Sequence, residues 1–383
     1  MRPSRPSGAV SDEGRADVDE GQDGQDGRDG REGREEQMFS PPAYPARPAY
    51  PALCITIKVM PVRDVIIIGG GPSGLAAAIT AKQLNLDCQV LEQGVLVNSI
   101  FRFPPQMVFF TTPELLEIGG LPFMSPFDKP TRAEALNYYR KVVDKYDLLI
   151  AYEEKVTEIV PEQDEFVVET VSARGVKRAR HARHVVLAIG YFDRPVMLGI
   201  PGEDLPLVHH YYSEPHPYYR KRVVIVGGGN SAAESALELY RAGAHVTIVH
   251  RHAELKSTIK YWVRPDIENR IREESIAARL STCVTEIRPA SVTVKGPGGT
   301  EEIPTDAVFL LTGYRADSDL MARAGVTFNE RGAPHHNPQT FETNVPNLFV
   351  AGGAIAGEDT GTVFIENGRF HGARIIEEIA KRI

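Results

Sequence analysis

The stretch Asp64-Val-Ile-Ile-Ile-Gly-Gly-Gly-Pro-Ser-Gly74 decides the fold of this chain. Its apolar, β-branched part has the length and composition of a buried parallel strand. An alanine-rich stretch of helix-forming residues follows from Leu75 to Leu84, and a second apolar strand is predicted from Cys88 to Glu92. A strand, a glycine-rich loop, a helix and another strand in this order predict a βαβ unit with a parallel sheet.

The glycines of this stretch fit the pattern G-x-G-x-x-G of a dinucleotide-binding loop. Gly69 is predicted to make the tight turn, Gly71 to let the backbone approach a pyrophosphate, and Gly74 to let the helix pack against the strand. The N-terminus of the helix offers free N–H groups and a positive dipole to the phosphates. Glu92 comes 18 positions after Gly74, where an acidic residue accepts hydrogen bonds from ribose hydroxyls.

The same pattern occurs a second time. Residues 222–226 read as a strand and run into Gly227-Gly-Gly229-Asn-Ser231-Ala232, which is followed by a helical stretch at 233–242. The next predicted strand, 245–249, ends in His250-Arg251-His252, where an NAD site would carry an acidic residue. Arg251, with Lys256 close by, can pair with a ribose 2′-phosphate that an acidic residue would repel. This second site is therefore predicted to prefer NADPH.

Two dinucleotide sites in one chain suggest one bound flavin and one exchanging nicotinamide cofactor, and thus a flavoprotein reductase. Because the acidic residue belongs to the first site and the basic residues to the second, FAD is assigned to the first unit and NADPH to the second. The predicted fold class is α/β, with two Rossmann-like dinucleotide-binding domains and the NADPH domain inserted into a discontinuous FAD domain. The predicted boundaries are a disordered N-terminal tail at 1–59, the FAD domain at 60–194 and 313–383, and the NADPH domain at 195–312.

Composition narrows the classes of partner. The chain has 383 residues, 43 Lys and Arg against 51 Asp and Glu, and a formal net charge of −8. This balance argues against nucleic-acid binding, which usually uses a basic face, and no run of about 18 apolar residues is present to span a membrane. The three cysteines, Cys54, Cys88 and Cys283, lie far apart and form no C-x-x-C pair. We therefore expect no metal site, no disulfide framework and a cytoplasmic location.

The predicted tail is rich in Gly, Asp, Glu, Arg and Gln over residues 1–37 and in Pro, Ala and Tyr over residues 40–52. Such a composition cannot bury enough apolar surface to offset the entropy of ordering. The first strand begins within four residues of Met60. A further hypothesis is that translation starts at Met60, so that residues 1–59 are not translated.

Longer strings of the sequence resemble a known family. They are His210-Tyr-Tyr-Ser-Glu-Pro-His-Pro-Tyr-Tyr219, Ile259-Lys-Tyr-Trp-Val263 and Thr362-Val-Phe-Ile-Glu-Asn-Gly-Arg-Phe-His-Gly372. Over residues 60–383 the chain resembles the low-molecular-weight thioredoxin reductases, and more closely the YpdA-type bacillithiol disulfide reductases. The resemblance implies FAD, NADPH and the reduction of a disulfide of a small thiol, with a homodimer or a larger homo-oligomer as the assembly.

Several positions depart from the family pattern. His210 and Ser213 stand where thioredoxin reductases carry their C-x-x-C pair, and Ser73 stands where the YpdA-type pattern has a single cysteine. Gly353 replaces the usual Asp of the C-terminal flavin motif, so that no Asp contact to FAD is implied there. A serine hydroxyl near neutral pH neither attacks a disulfide nor leaves as a thiolate does. No residue is therefore assigned as catalytic, and Ser73 is expected to help hold FAD.

The complete set of predicted cofactor residues combines the two glycine patterns with positions implied by the resemblance. For FAD they are Gly69, Gly71, Pro72, Ser73, Gly74, Glu92, Val156, Gly190, Gly353 and Ile365, the last of these at the start of a C-terminal helix whose N-terminus is expected to face the flavin ring. For NADPH they are Gly227, Gly229, Asn230, Ser231, Ala232, Arg251 and Lys256.

Three functions remain open on the sequence. The first is an NADPH-dependent reductase of a small-thiol disulfide; the second is a ferredoxin– or flavodoxin–NADP reductase, which needs no active cysteine. The third is a flavin-bound redox sensor with reduced catalysis. Trp262 and Cys88 are expected to be core residues, and the tyrosines at 211–219 either wall the acceptor site or pack a loop between the domains.

Overall fold

The computed structural model describes residues 61–383. The predicted tail at 1–59 and the proposed start at Met60 lie outside the described residues. No helix within the described part of the chain is long and apolar enough to cross a membrane.

Seventeen strands and seven helices make up the described fold. The strands are β1 (Arg63–Ile68), β2 (Cys88–Leu91), β3 (Ile150–Ala151), β4 (Glu154–Pro161), β5 (Phe166–Ser172), β6 (Lys177–Leu187), β7 (Arg194–Pro195), β8 (Val208–His209), β9 (Arg222–Val226), β10 (His245–Val249), β11 (Ala277–Arg279), β12 (Cys283–Arg288), β13 (Ser291–Gly296), β14 (Gly299–Pro304), β15 (Ala307–Leu310), β16 (Tyr314–Arg315) and β17 (Leu348–Val350). The helices are α1 (Pro72–Gln83), α2 (Asn98–Phe101), α3 (Arg132–Tyr146), α4 (Asn230–Arg241), α5 (Arg264–Arg272), α6 (Ser318–Arg323) and α7 (Ile365–Ala380). Short 3₁₀ turns occupy Pro113–Leu116, His216–Tyr218 and Gly352–Ile355.

The first sheet has the strand order β3-β2-β1-β6-β5-β4, with β17 paired to β6. Strands β2, β1, β6 and β17 run parallel, whereas β4 and β5 form an antiparallel extension. Ile66 and Ile68 pack against β4, β5 and α6, while Val65 and Ile67 pack against α1 and α7. Both faces of β1 are thus covered, which is why an uninterrupted apolar run is stable there.

The second sheet has the order β11-β10-β9-β15-β8, and all of its pairs are parallel. One face packs against α4 and α5 through Val223 and Ile225. The other face packs through Val224 and Val226 against the antiparallel sheet formed by β12, β13 and β14. The predicted strands and helices of both glycine units are confirmed, with ends that differ by a few residues.

The second sheet is built by an insertion into the first. The chain leaves the first sheet after β6, forms the second sheet between β8 and β15, and returns to the first sheet at β17. The two passages between the sheets pair with each other as the short antiparallel ladder of β7 and β16. The predicted α/β class and its inserted topology are confirmed, whereas the boundaries at 60–194, 195–312 and 313–383 stay predictions.

Helix α7 crosses α1 at very short range. A Cβ atom at Gly372 would lie 2.5 Å from the backbone nitrogen of Ala77 and 2.7 Å from the carbonyl oxygen of Ser73. A Cβ atom at Gly368 would lie 3.2 Å from the Cα atom of Gly352. Because these positions are glycine, the last helix can lie directly against the beginning of the first one.

Candidate functional site

The first glycine loop connects β1 to α1, and its glycines serve different purposes. Gly69 has a φ of +111°, and a Cβ atom there would lie 2.3 Å from the carbonyl oxygen of Ala188. A Cβ atom at Gly74 would lie 2.0 Å from the carbonyl oxygen of Gly69. In contrast, a Cβ atom at Gly71 would meet nothing within 4 Å. Gly69 and Gly74 therefore close the turn, while Gly71 leaves space for a ligand above it, as a pyrophosphate requires.

Glu92 lies directly behind this loop, at the end of β2. Its Oε2 accepts a hydrogen bond from the backbone N–H of Gly70 at 2.7 Å, and its Oε1 accepts one from Gly94 at 2.8 Å. Burial raises the pKa of this carboxyl, and the two backbone N–H groups oppose the rise. Glu92 also lines the cavity described below, so it can both fix the loop and accept a bond from a ribose hydroxyl.

Ser73 lies at the beginning of α1, where it meets the C-terminal part of the chain. A Cβ atom at Gly352 would lie 2.3 Å from the Ser73 Oγ, and one at Gly368 would lie 3.2 Å from it. The hydroxyl is thus enclosed between the 3₁₀ turn after β17 and the first turn of α7. This places Ser73 at the meeting point of the two segments expected to hold FAD.

The turn at Gly352 and Gly353 is fixed by two aromatic residues. The Nδ1 atom of His371, on α7, accepts a hydrogen bond from the backbone N–H of Gly352 at 3.2 Å. The Tyr191 ring lies over Gly353, so that a Cβ atom there would be 2.6 Å from the Tyr191 Cδ1. Neither residue belongs to a glycine pattern, so neither is predicted as a site residue from the sequence.

The second glycine loop repeats the first with a histidine behind it. Gly227 has a φ of +150°, and a Cβ atom there would lie 2.5 Å from the carbonyl oxygen of Leu311. A Cβ atom at Gly229 would meet only the Cδ atom of Lys256, at 3.8 Å. The His250 ring packs flat on Gly228, as the Glu92 carboxyl packs on Gly70. Burial and the neighbouring cations lower the pKa of His250, so its imidazole stays neutral.

The cations predicted for the second site lie beside this loop. Arg251 is exposed, and its Nε donates to the Nε2 of His252 at 3.2 Å. Within residues 61–383, no carboxylate is paired with Arg251 or Lys256. Two unneutralised cations at the end of β10 provide the charge that a 2′-phosphate needs.

One cavity of about 1120 Å³ connects the two loops. It exceeds the roughly 300–1,000 Å³ of an ordinary ligand pocket, as expected for a site that holds two nucleotides. Every predicted FAD residue except Gly74, and every predicted NADPH residue, lines it. Gly74 packs behind the loop. Binding of the cofactors by these individual residues stays a prediction.

The two positions at which thioredoxin reductases carry their C-x-x-C pair do not line this cavity. Neither His210 nor Ser213 is among the residues that line the cavity. The adjacent tyrosines pack the segment: the Tyr211 ring stacks on Tyr314 with centroids 5.5 Å apart, and the buried Tyr212 donates to Glu238 at 2.8 Å. Of the two alternatives for residues 211–219, the structure favours the packed loop.

Two core expectations have different outcomes. Cys88 packs against the core beside β1, and burial raises the pKa of its thiol to about 12, so it behaves as a small apolar residue. The expectation for Trp262 is wrong, because 39% of this residue is exposed. Its indole instead makes a cation–π contact with Lys129, whose Nζ lies 3.9 Å from the ring centroid.

His371 gives a prediction on pH and stability. Burial, Arg374 and His336 lower its pKa to about 4, against about 6.5 in an unfolded chain. Because the unfolded chain binds the proton more readily, this residue removes stability as the pH falls from 6.5 to 4. In His371→Phe, which keeps an aromatic ring on Phe341, we expect a flatter pH dependence of the unfolding free energy, measured with urea between pH 7 and pH 5.

The matched control is His245→Phe, at an exposed histidine at the start of β10. At pH 7 the His371 variant should also lose about 0.5–1.5 kcal/mol, the value of one hydrogen bond. Parallel pH curves for the wild type and His371→Phe would contradict the neutral imidazole.

Together these features define a class of protein. Two βαβ units each place a glycine loop and a helix N-terminus at one shared cavity, with a carboxylate behind the first loop and free cations beside the second. This is the arrangement of a flavoprotein oxidoreductase that uses a nicotinamide dinucleotide.

Comparison with known proteins identifies the family within this class. Residues 66–352 match the family model described as pyridine nucleotide-disulphide oxidoreductase. Bacilliredoxin reductase Bdr of Bacillus subtilis is 42% identical over 322 residues, which cover 83% of this chain and 97% of that protein. The chain belongs to the pyridine nucleotide-disulphide oxidoreductase family, whose members use FAD and NADPH, and it is a flavoprotein oxidoreductase.

Solved structures agree with this assignment. The bacillithiol disulfide reductase Bdr (YpdA) of Bacillus cereus is 40% identical, with a TM-score of 0.83 over 84% of this chain and 100% of that chain. The thioredoxin reductase of Lactococcus lactis, at 22% identity, shares the fold with a TM-score of 0.66 over 83% of this chain and 98% of that one. The predicted resemblance to the YpdA type is thus confirmed.

Proposed function

We propose that this protein is an FAD-dependent NADPH oxidoreductase that reduces the disulfide of a low-molecular-weight thiol, in the manner of the bacillithiol disulfide reductases. The observation that carries the proposal is the single cavity shared by the two glycine loops. Nucleotides bound at the two loops would lie in the same cavity. The relatives named for bacillithiol disulfide and bacilliredoxin indicate the class of acceptor.

The residues of the cavity fit the two cofactors. FAD bound at the first loop would supply a two-electron relay between NADPH and the acceptor. Gly71 leaves room for its pyrophosphate, Glu92 could accept from a ribose hydroxyl, and Ile365, at the start of α7, lines the same cavity. At the second loop, Arg251 and Lys256 would pair with the 2′-phosphate of NADPH.

Within residues 61–383, no cysteine is placed to share in the chemistry at the first glycine loop. Among the described residues, Cys283 is the one cysteine that lines the cavity, and it stands at the start of β12, on the side of the second loop. Cys88 is packed in the core with a pKa of about 12. We therefore infer that neither of the two described cysteines takes part in the exchange with the acceptor.

The test is an acceptor panel. The holoprotein is mixed with excess NADPH and with bacillithiol disulfide, other small-thiol disulfides, a ferredoxin, a flavodoxin or no acceptor, and NADPH oxidation is followed. Stoichiometric release of two thiols per NADPH supports the proposal. Turnover with ferredoxin or flavodoxin alone would make the protein a carrier reductase, and no turnover with any acceptor would leave a flavin-bound sensor.

Ser73 yields a prediction for the same assay. Ser73→Cys should raise kcat/KM for a small-thiol disulfide about tenfold or more, because a thiolate at a helix N-terminus is stabilised and attacks a disulfide sulfur with release of one thiol. Ser73→Ala is the matched control and should lose less than about tenfold, the value of one hydrogen bond. Complete loss of turnover in Ser73→Ala with FAD still bound would show that the serine takes part in the chemistry.

A cytoplasmic location and assembly as a homodimer or homo-oligomer belong to the same proposal. The location fits a disulfide reductase that works on a reduced thiol pool. Light scattering of the holoprotein measures the assembly directly.

A further inference from the structure

We propose that Tyr191 is an FAD-binding residue, whose ring occupies the space beside Gly353 in the cavity. The inference rests on the proposed function only in taking FAD as the ligand of the first glycine loop. It assigns a contact to a residue outside both glycine patterns.

The Tyr191 ring lies directly beside Gly353. Tyr191 follows Gly190, in the segment after β6, and its side chain lies across Gly353 in the segment after β17. Because β6 and β17 are parallel neighbours, both segments leave the sheet at the same edge. A Cβ atom at Gly353 would be 2.6 Å from Cδ1 and 2.9 Å from Cε1 of the ring. An aspartate cannot be added at Gly353 unless the ring moves away.

The Tyr191 hydroxyl is available as a hydrogen-bond donor. Tyr191 lines the cavity beside the first glycine loop. Within the described part of the chain, its hydroxyl has no hydrogen-bond partner. Burial and the nearby Glu366 raise the pKa of the phenol, so the group keeps its proton. The hydroxyl is not among the buried polar atoms left without a partner, so it opens into the cavity, where a bound ligand can accept its hydrogen bond.

Neighbouring residues fix the turn that contains Gly353. His371 accepts from the backbone N–H of Gly352 at 3.2 Å, and Gly352 has a φ of +62° that favours glycine. The Cα atom of Gly190 would lie 3.5 Å from a Cβ atom at Gly353, so the space on that side is also filled. A side chain at position 353 and the Tyr191 ring in its present place therefore exclude each other.

The test compares FAD dissociation constants. Holoprotein is diluted and the free flavin is measured by its fluorescence, with the melting temperature of each apoprotein recorded in parallel. Tyr191→Phe keeps the ring and removes the hydroxyl, and FAD affinity should fall about three- to tenfold, the range of one hydrogen bond. Gly353→Asp should weaken FAD more than about tenfold, since the new side chain meets the ring.

The reciprocal double variant makes the test specific. In Tyr191→Ala/Gly353→Asp, the ring is removed and the new carboxyl can occupy its space. The affinity for FAD should then recover to within a few fold of the affinity of Tyr191→Phe. Tyr219→Phe and Gly298→Asp are the controls, at an exposed tyrosine and at a glycine with nothing within 4 Å of its Cβ position; both should bind FAD like the wild type.

The outcomes separate this inference from the proposed function. An unchanged dissociation constant in Tyr191→Phe, or a double variant that binds FAD no better than Gly353→Asp, overturns the role of Tyr191 while FAD binding itself stands. A wild-type protein that binds no FAD overturns both. If the double variant fails to fold, as its melting temperature would report, Tyr191→Phe alone decides.

Discussion

Gly74→Ala is expected to abolish FAD binding and to destabilise the apoprotein by about 3 kcal/mol, at the upper end of the range for overpacking. The added methyl group would lie 2.0 Å from the carbonyl oxygen of Gly69 and 3.3 Å from the Cβ of Ala188. The backbone of the loop must then move, and α1 can no longer start against β1. Urea unfolding of the apoprotein and flavin content after purification measure the two effects.

Gly71→Ala is the matched control in the same loop. Gly71 has a φ of −80°, which alanine adopts without strain, and its Cβ position is open. We expect the unfolding free energy of the apoprotein to change by less than about 0.5 kcal/mol, as at other unstrained positions, while FAD affinity falls because the methyl group occupies the space above the loop. Equal destabilisation of the apoprotein by the two variants would contradict the different roles assigned to Gly74 and Gly71.

Arg251→Gln should raise the KM for NADPH about 10- to 100-fold and leave that for NADH nearly unchanged. A hydrogen bond to a charged group contributes about 1.5–3 kcal/mol, and each 1.4 kcal/mol is a factor of ten. Arg251 is free to make this bond because no carboxylate within residues 61–383 competes for it. Steady-state kinetics with both nucleotides give the ratio.

Arg174→Gln, at an exposed arginine in the turn between β5 and β6, removes the same charge away from the cavity. It should change neither KM, which separates a specific contact from an effect of net charge. An equal loss of NADPH and NADH use in Arg251→Gln would assign this arginine to binding of the common part of the two nucleotides.

The sequence predicts most of the backbone of this site, because the backbone follows local rules. The strand at 64–68, the glycines at 69–74 and the acid at Glu92 lie in one short stretch, and each has a steric or electrostatic reason that can be read from its own position. The second loop and its cations follow in the same way. The order of the two units then implies the insertion found between β6 and β17.

The side chains that complete the site are not predictable in this way. Tyr191 meets Gly353 and His371 meets Gly352 across large separations in the chain. Neither pair follows a periodic pattern, since each contact depends on the register of β17 beside β6 and on the placement of α7. Trp262 shows the opposite error: average burial of tryptophan suggested a core position, while Lys129 covers the ring at the surface.

The crossing of α7 over α1 has a consequence for how the protein is made. Synthesis proceeds from the N-terminus, so β1, the first loop and α1 leave the ribosome long before Gly368 and Gly372 of α7 do. Until then, α1 lacks the surface on which it packs, and Ser73 lacks the walls that enclose it. We therefore expect flavin loading to follow the synthesis of α7, and a chain terminated ahead of α7 to accumulate as colourless protein.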